Sequence, residues 1–115
     1  MTKKKTLICP LTKFTKILGG KWKIPILFVL SKGETHYGKL HFLIPKISKK
    51  VLSENLQLLQ EHKFIKRKLN VEDNKVYYKL TKRGESIIPI LKDINIWIKN
   101  TYPNENFEPS ISTEK

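Results

Sequence analysis

The stretch from Ile47 to Gly84 limits the possible folds more than any other part of the chain, because it reads as a polar-faced helix, a basic hairpin and a new helix start in immediate succession. From Ser48 to His62 the apolar residues Val51, Leu52, Leu56 and Leu59 recur at helical spacing. Lys49, Ser53, Gln57 and Gln60 fall on a separate polar strip, so one face can pack while the other stays open. Two runs of β-formers follow, Phe64-Ile65-Lys66-Arg67-Lys68-Leu69 and Val76-Tyr77-Tyr78-Lys79-Leu80. The polar run between them, Asn70 to Lys75, contains the turn pair Asp73-Asn74, which predicts a hairpin with a charged tip. Thr81 then stands as an N-cap ahead of Ile87, Ile88, Ile90, Leu91, Ile94 and Trp97, the apolar set of a further helix.

Upstream, Leu11, Phe14, Ile17 and Leu18 are spaced to cover one face of a short helix that Gly19-Gly20 ends. A second helix is expected from about Lys21-Trp22 to Ser31, with Pro25 tolerated near its first turn and Gly33 closing it. Glu34-Thr35-His36 reads as a short strand, Tyr37 to Leu43 as a third helix, and Ile44-Pro45-Lys46 as the turn into the Ser48 helix. Pro89 removes a donor inside the last helix, which predicts a kink near Glu85. The chain thus divides into a basic arm over 1–8, a folded domain over 9–100 and a polar tail over 101–115.

A length of 115 residues allows one core and little else. With 23 Lys+Arg against 10 Asp+Glu, the formal net charge is +13, which draws a polyanion and points to nucleic acid. The competing reading is general solubility, since all but Arg67 and Arg83 of those cations are lysines scattered along the chain. The charged start is followed only by Leu7, Ile8 and Cys9 before Pro10, too little for a secretory apolar region. The run Ile24 to Leu30 is interrupted by Pro25 and too short for a bilayer, so a cytoplasmic protein without a membrane partner is expected. His36, His41 and His62 lack metal-ligand spacing, and neither a phosphate loop nor a nucleophile elbow occurs. No enzyme, cofactor or metal is expected; a thiol enzyme would lack a resolving cysteine, because Cys9 is alone.

Cys9-Pro10, Gly19-Gly20-Lys21-Trp22, Tyr37-Gly38-Lys39-Leu40, Ile47-Ser48-Lys49-Lys50-Val51-Leu52-Ser53 and Tyr78-Lys79-Leu80-Thr81-Lys82-Arg83-Gly84, in this order, resemble the HxlR-type transcriptional regulators. The resemblance spans nearly the whole folded region. It implies a mainly α winged helix-turn-helix with a small β-hairpin wing, dimeric through its first and last helices and bound to a palindromic operator in double-stranded DNA. Two positions depart from the family pattern: Lys63 stands where glycine is common, and Glu72-Asp73-Asn74 where the wing commonly has prolines.

On this reading Ser48, Lys49, Lys50, Ser53 and Gln57 face the major groove, where lysine donates to guanine, glutamine pairs with adenine and serine serves bases or phosphates. Glu54 has two roles open to it, accepting from cytosine or pairing with a nearby lysine along the helix. Lys66, Lys68, Asn74 and Lys75 of the wing would clamp phosphate or enter a minor groove, and His36 and Lys39, before and in the third helix, would touch the DNA backbone. Tyr37 either joins them or packs inward. Trp22 and Trp97 are assigned to core or dimer contacts. Cys9 occupies the position that some redox- or electrophile-sensing members use as a switch, and its alternative role is packing within the dimer helix. An oxidant or a small-molecule signal is therefore a possible further partner. The rival to a DNA regulator is a small basic RNA- or ribosome-binding protein, which would be expected to expose aromatic platforms on a sheet.

Overall fold

The computed structural model describes residues 9–105, so the basic arm over 1–8 and the tail beyond 105 lie outside the described residues. In chain order the elements are α1 (Pro10–Leu18), α2 (Lys23–Leu30), β1 (Thr35–His36), α3 (Tyr37–Leu43), α4 (Lys49–Glu61), β2 (Ile65–Asn70), β3 (Lys75–Leu80) and α5 (Lys82–Thr101). The mainly α architecture with a small wing holds, and the sheet has three antiparallel strands because β1 adds to the hairpin in the order β1-β3-β2.

α2 is apolar on nearly every side, and Pro25, Ile26, Leu27, Val29 and Leu30 are all buried. A helix of this kind must lie at the centre, and the others wrap it. Leu18 of α1, Leu40 of α3, Leu52, Leu56 and Leu59 of α4, Ile65, Tyr78 and Leu80 of the hairpin, and Ile88 and Leu91 of α5 close around it. Trp22 packs against this core from its edge. Leu11 does not: it is 70% exposed, so the face drawn for α1 buries Leu18 and partly buries Phe14 and Ile17 while its first turn stays outside.

α3 and α4 meet through a turn that buries Ile44 and Ile47, with Lys46 between them in the left-handed region at φ 69°. His41 Nε2 lies 3.0 Å from the Ile47 carbonyl and ties α3 to the turn. Ser48 caps α4, its hydroxyl accepting from the Val51 amide at 3.1 Å. α4 ends in a Schellman arrangement: the Phe64 amide donates to the Leu59 carbonyl and the Lys63 amide to that of Gln60, both at 2.9 Å. This requires Lys63 at φ 66°.

α5 starts against that end. Thr81 accepts from the Gly84 amide at 3.1 Å, as an N-cap should, and its hydroxyl donates to the Lys63 carbonyl at 2.6 Å. Arg83 Nη1 donates to the His62 carbonyl at 2.8 Å. Gly84 has no room for a side chain, since a Cβ there would run into the Phe64 carbonyl. α5 continues unbroken through the exposed Pro89, which removes one donor without ending the helix. Beyond Leu91 it leaves the core, and Ile94 and Trp97 are 42% and 58% exposed. Among the described residues no helix is long and apolar enough to cross a membrane.

A lysine in the left-handed region is strained relative to glycine by about 1–2 kcal/mol, part of which glycine returns as unfolded-state entropy. Lys63→Gly is therefore expected to raise stability by about 0.5–1 kcal/mol, read as a higher denaturant midpoint at unchanged slope. A lower midpoint would show that the lysine side chain contributes more than its backbone strain removes.

Candidate nucleic-acid interface

The exposed surface of α4 is built by its own period. With Leu52, Leu56 and Leu59 turned to the core, Lys49, Ser53 and Gln57 follow one another at i, i+4 and i+8 on the open side, with Lys50 beside them. Its first turn holds these two lysines and no acid. Cations there oppose the helix dipole, an arrangement that becomes favourable when an anion lies against the same turn.

Several of these side chains already have partners. Ser48 is committed as the cap, Gln57 Nε2 donates to Glu61 Oε2 at 3.3 Å, and Ser53 Oγ lies 3.0 Å from the Tyr37 phenol. Tyr37 takes, in part, the inward-packing role left open for it. Its ring is half-buried, and its hydroxyl reaches out to donate to the Lys49 carbonyl at 3.0 Å. α3 thereby braces the first turns of α4. His36 caps α3 through Nδ1, which accepts from the Lys39 amide at 3.2 Å; its ring meets Tyr77 edge-on at 5.6 Å.

Strand alternation divides the basic residues of the hairpin between two faces. Arg67 pairs with Tyr78 on one, while Lys66 and Lys68 pair with Lys79 and Tyr77 on the other. Arg67, Lys75, Val76 and Tyr78 line a shallow groove with His36, Tyr37 and Gly38, so the structure brings Arg67 toward the α3–α4 unit and leaves Lys66 and Lys68 on the opposite side. Arg67 is the cation that sequence reasoning missed; the alternation of Ile65, Arg67 and Leu69 against Lys66 and Lys68 was the signal that could have found it.

The wing tip is held by its acids and amides. Asn74 takes the left-handed conformation at φ 58°, and its amide donates to the Asn70 carbonyl at 2.8 Å. Asn70 Oδ1 accepts from the Glu72 amide at 2.9 Å. Asp73 accepts from the Tyr77 hydroxyl at 2.6 Å and the Lys75 amide at 3.0 Å. Two of the polar side chains that read as a charged tip thus act as turn struts, while Val71 projects at 86% exposure.

Cys9 is exposed at the N-cap of α1, with no side-chain cap bond. Apolar surface is left open on the helices at the ends of the domain, with Leu11 on α1 and Ile90, Ile94 and Trp97 on one stripe of α5, and also singly at Phe42 of α3, Leu58 of α4 and Leu69 of β2. Trp97 meets Tyr102 edge-on at 6.2 Å.

The sequence profile of the family described as HxlR-like helix-turn-helix matches residues 17–106. The chain is 34% identical to the uncharacterised HTH-type transcriptional regulator YkvN of Bacillus subtilis, over 81% of this chain and 80% of that protein. It is 33% identical to an uncharacterised HTH-type transcriptional regulator of Methanothermobacter thermautotrophicus, over 80% and 71%. Among solved structures, the reduced form of the transcriptional regulator YodB from B. subtilis superposes with a TM-score of 0.75 at 26% identity, covering 87% of this chain and 100% of that one.

The Tyr77 bond holds the Asp73 carboxyl below its ordinary value of 3.8, and the same bond raises the Tyr77 phenol above 10.0. A lowered acid contributes its bond above the unfolded value and loses it as pH falls through the folded one; a raised phenol loses it as pH climbs past the folded value. The tip should stay intact across neutral pH and loosen only in strong acid or strong base. In Tyr77→Phe the Asp73 carboxyl, followed by carbon NMR, should titrate higher than in wild type; an unchanged titration would contradict the strut.

Proposed function

This chain belongs to the HxlR-like helix-turn-helix family and is a transcriptional regulator of the winged-helix type; from that premise we propose that it works as a homodimer on a two-fold symmetric stretch of duplex DNA. α4 of each protomer enters a major groove, with Lys49, Lys50, Ser53 and Gln57 toward base edges. Ser48 at the cap, Lys39 and His36 at α3, and Asn74, Lys75 and Arg67 of the wing lie against the backbone, whereas Lys66 and Lys68, on the other face of the hairpin, turn away from it. The observation that carries this reading is the pair of lysines in the first turn of α4, placed against the helix dipole, Lys49 in an exposed row of hydrogen-bonding side chains with Ser53 and Gln57 and Lys50 beside it. An RNA reader's aromatic platform has no counterpart on this sheet, because Tyr78 is buried and Tyr77 is tied to Asp73 and turned edge-on to His36.

The dimer is proposed from the apolar stripe of Ile90, Ile94 and Trp97 on α5 and from Leu11 on α1, which one domain leaves open. Two-fold symmetry then asks for two half-sites. Cys9, exposed at the start of α1, is proposed as a switch acting through that interface. YodB, similar in fold, is known in reduced, quinone-bound and diamide-treated forms. With one cysteine per chain, oxidation has as its reversible products an intersubunit disulfide, a mixed disulfide with a small thiol, or a sulfenic acid.

Lys49→Ala and Gln57→Ala should each reduce discrimination between the cognate site and random duplex by about 1–3 kcal/mol. Lys75→Ala should weaken binding to both alike and lower the salt slope by about one unit. Equal losses on both duplexes for the α4 variants would mean that α4 does not read bases.

For the switch, operator binding is compared with and without diamide in wild type and Cys9→Ser. Wild type should change affinity reversibly with reductant while the variant does not. Unchanged wild-type binding, with modification at Cys9 confirmed by mass spectrometry, would reduce Cys9 to a packing residue.

A further inference from the structure

We propose that Ser53 reads its base only as a hydrogen-bond acceptor, because the Tyr37 phenol takes up the serine's proton; Tyr37 is thereby a positioning residue that determines specificity without touching DNA. The inference rests on the reading of α4 as the major-groove helix. Tyr37 Oη lies 3.0 Å from the Lys49 carbonyl and 3.0 Å from Ser53 Oγ. A phenol has a single proton to give, and a carbonyl oxygen can only accept. Two oxygens at this separation with no proton between them repel, so the phenol proton lies on the line to Lys49. The second contact must then be made with the serine's own proton, Ser53 Oγ–H donating to Tyr37 Oη. What Ser53 presents to its exposed side is a pair of acceptor sites.

The consequence is chemical. A serine hydroxyl with its proton available can donate to a phosphate oxygen or to the N7 and O6 of guanine, or accept from an exocyclic amine. With the proton engaged, phosphate and guanine have nothing to offer it, and adenine N6 and cytosine N4 remain. Ser53 stands between Lys49, which only donates, and Gln57 in the same exposed row. A residue that would otherwise tolerate every neighbour becomes selective for adenine or cytosine at one position.

The test uses the full chain. A binding site is selected from a random duplex library, and affinity is then measured for every base pair at every position of that site. One position should demand adenine or cytosine, losing roughly three- to tenfold on replacement, the scale of one net hydrogen bond. If it is adenine, purine, which lacks the amine, should lose as much. Ser53→Ala should erase the preference there and nowhere else. Tyr37→Phe should return a donor to the serine and admit guanine at that position, and in the Ser53→Ala background it should add nothing to the base profile.

A Tyr37→Phe protein that loses affinity evenly across all sequences would make Tyr37 a plain brace and overturn the inference. An unchanged profile for Ser53→Ala, in which an exposed side chain is trimmed without threat to folding, would overturn it as well while leaving the proposed function in place. A wild-type protein that selects no sequence at all would overturn both.

Discussion

The joint between the end of α4 and the start of α5 is the constraint on which the rest of the molecule depends. Lys63 turns the chain in the left-handed region, Phe64 closes the Schellman bond to Leu59, and Thr81 and Arg83 return from the far side of the hairpin to the Lys63 and His62 carbonyls. Gly84 lets the two backbones approach where a side chain would prevent it. One knot thus orients three things at once: the exposed row of α4, the hairpin that leaves and re-enters the joint, and the helix that carries Ile90, Ile94 and Trp97. In the dimer we propose, the angle at this joint would set the distance between two α4 helices, so a shift at α5 would be felt in half-site spacing.

The exposed row itself is held from a second direction. α3 contributes Tyr37 across to the first turns of α4, and its own start is capped by His36, which leans on Tyr77 of the wing. Tyr77 in turn holds Asp73 at the tip. Helix, positioning helix and wing are therefore linked through side chains as well as through the core, which favours a preorganised surface over one shaped by its ligand.

Much of this was legible in the sequence, for definite reasons. The helical period of Leu52, Leu56 and Leu59, the alternation through the hairpin and the cap at Thr81 are local signals, and each lies where it was expected. The short strand Thr35–His36 and the helix from Tyr37 to Leu43 were equally readable from their flanking turns. What was not legible depends on residues far apart in the chain. The Tyr37 bonds to Lys49 and Ser53 and the Arg83 bond to His62 span 12, 16 and 21 positions, and no periodicity announces them. Leu11 was placed with its helix face because the period includes it, whereas its exposure depends on where α1 runs out of core to cover. Lys66 and Lys68 were taken with the wing as a whole, and only the strand register separates them from Arg67.

The central claim is that two copies of α4 read duplex DNA from the major groove, one half-site each. Protection of guanine N7 from methylation tests it most directly, because that atom lies in the major groove. On a site bound by the full chain, the account predicts two protected patches related by two-fold symmetry, centred about 10 base pairs apart on one face of the helix. Bound DNA whose guanines remain open to methylation, or a single patch without a symmetric partner, would contradict it.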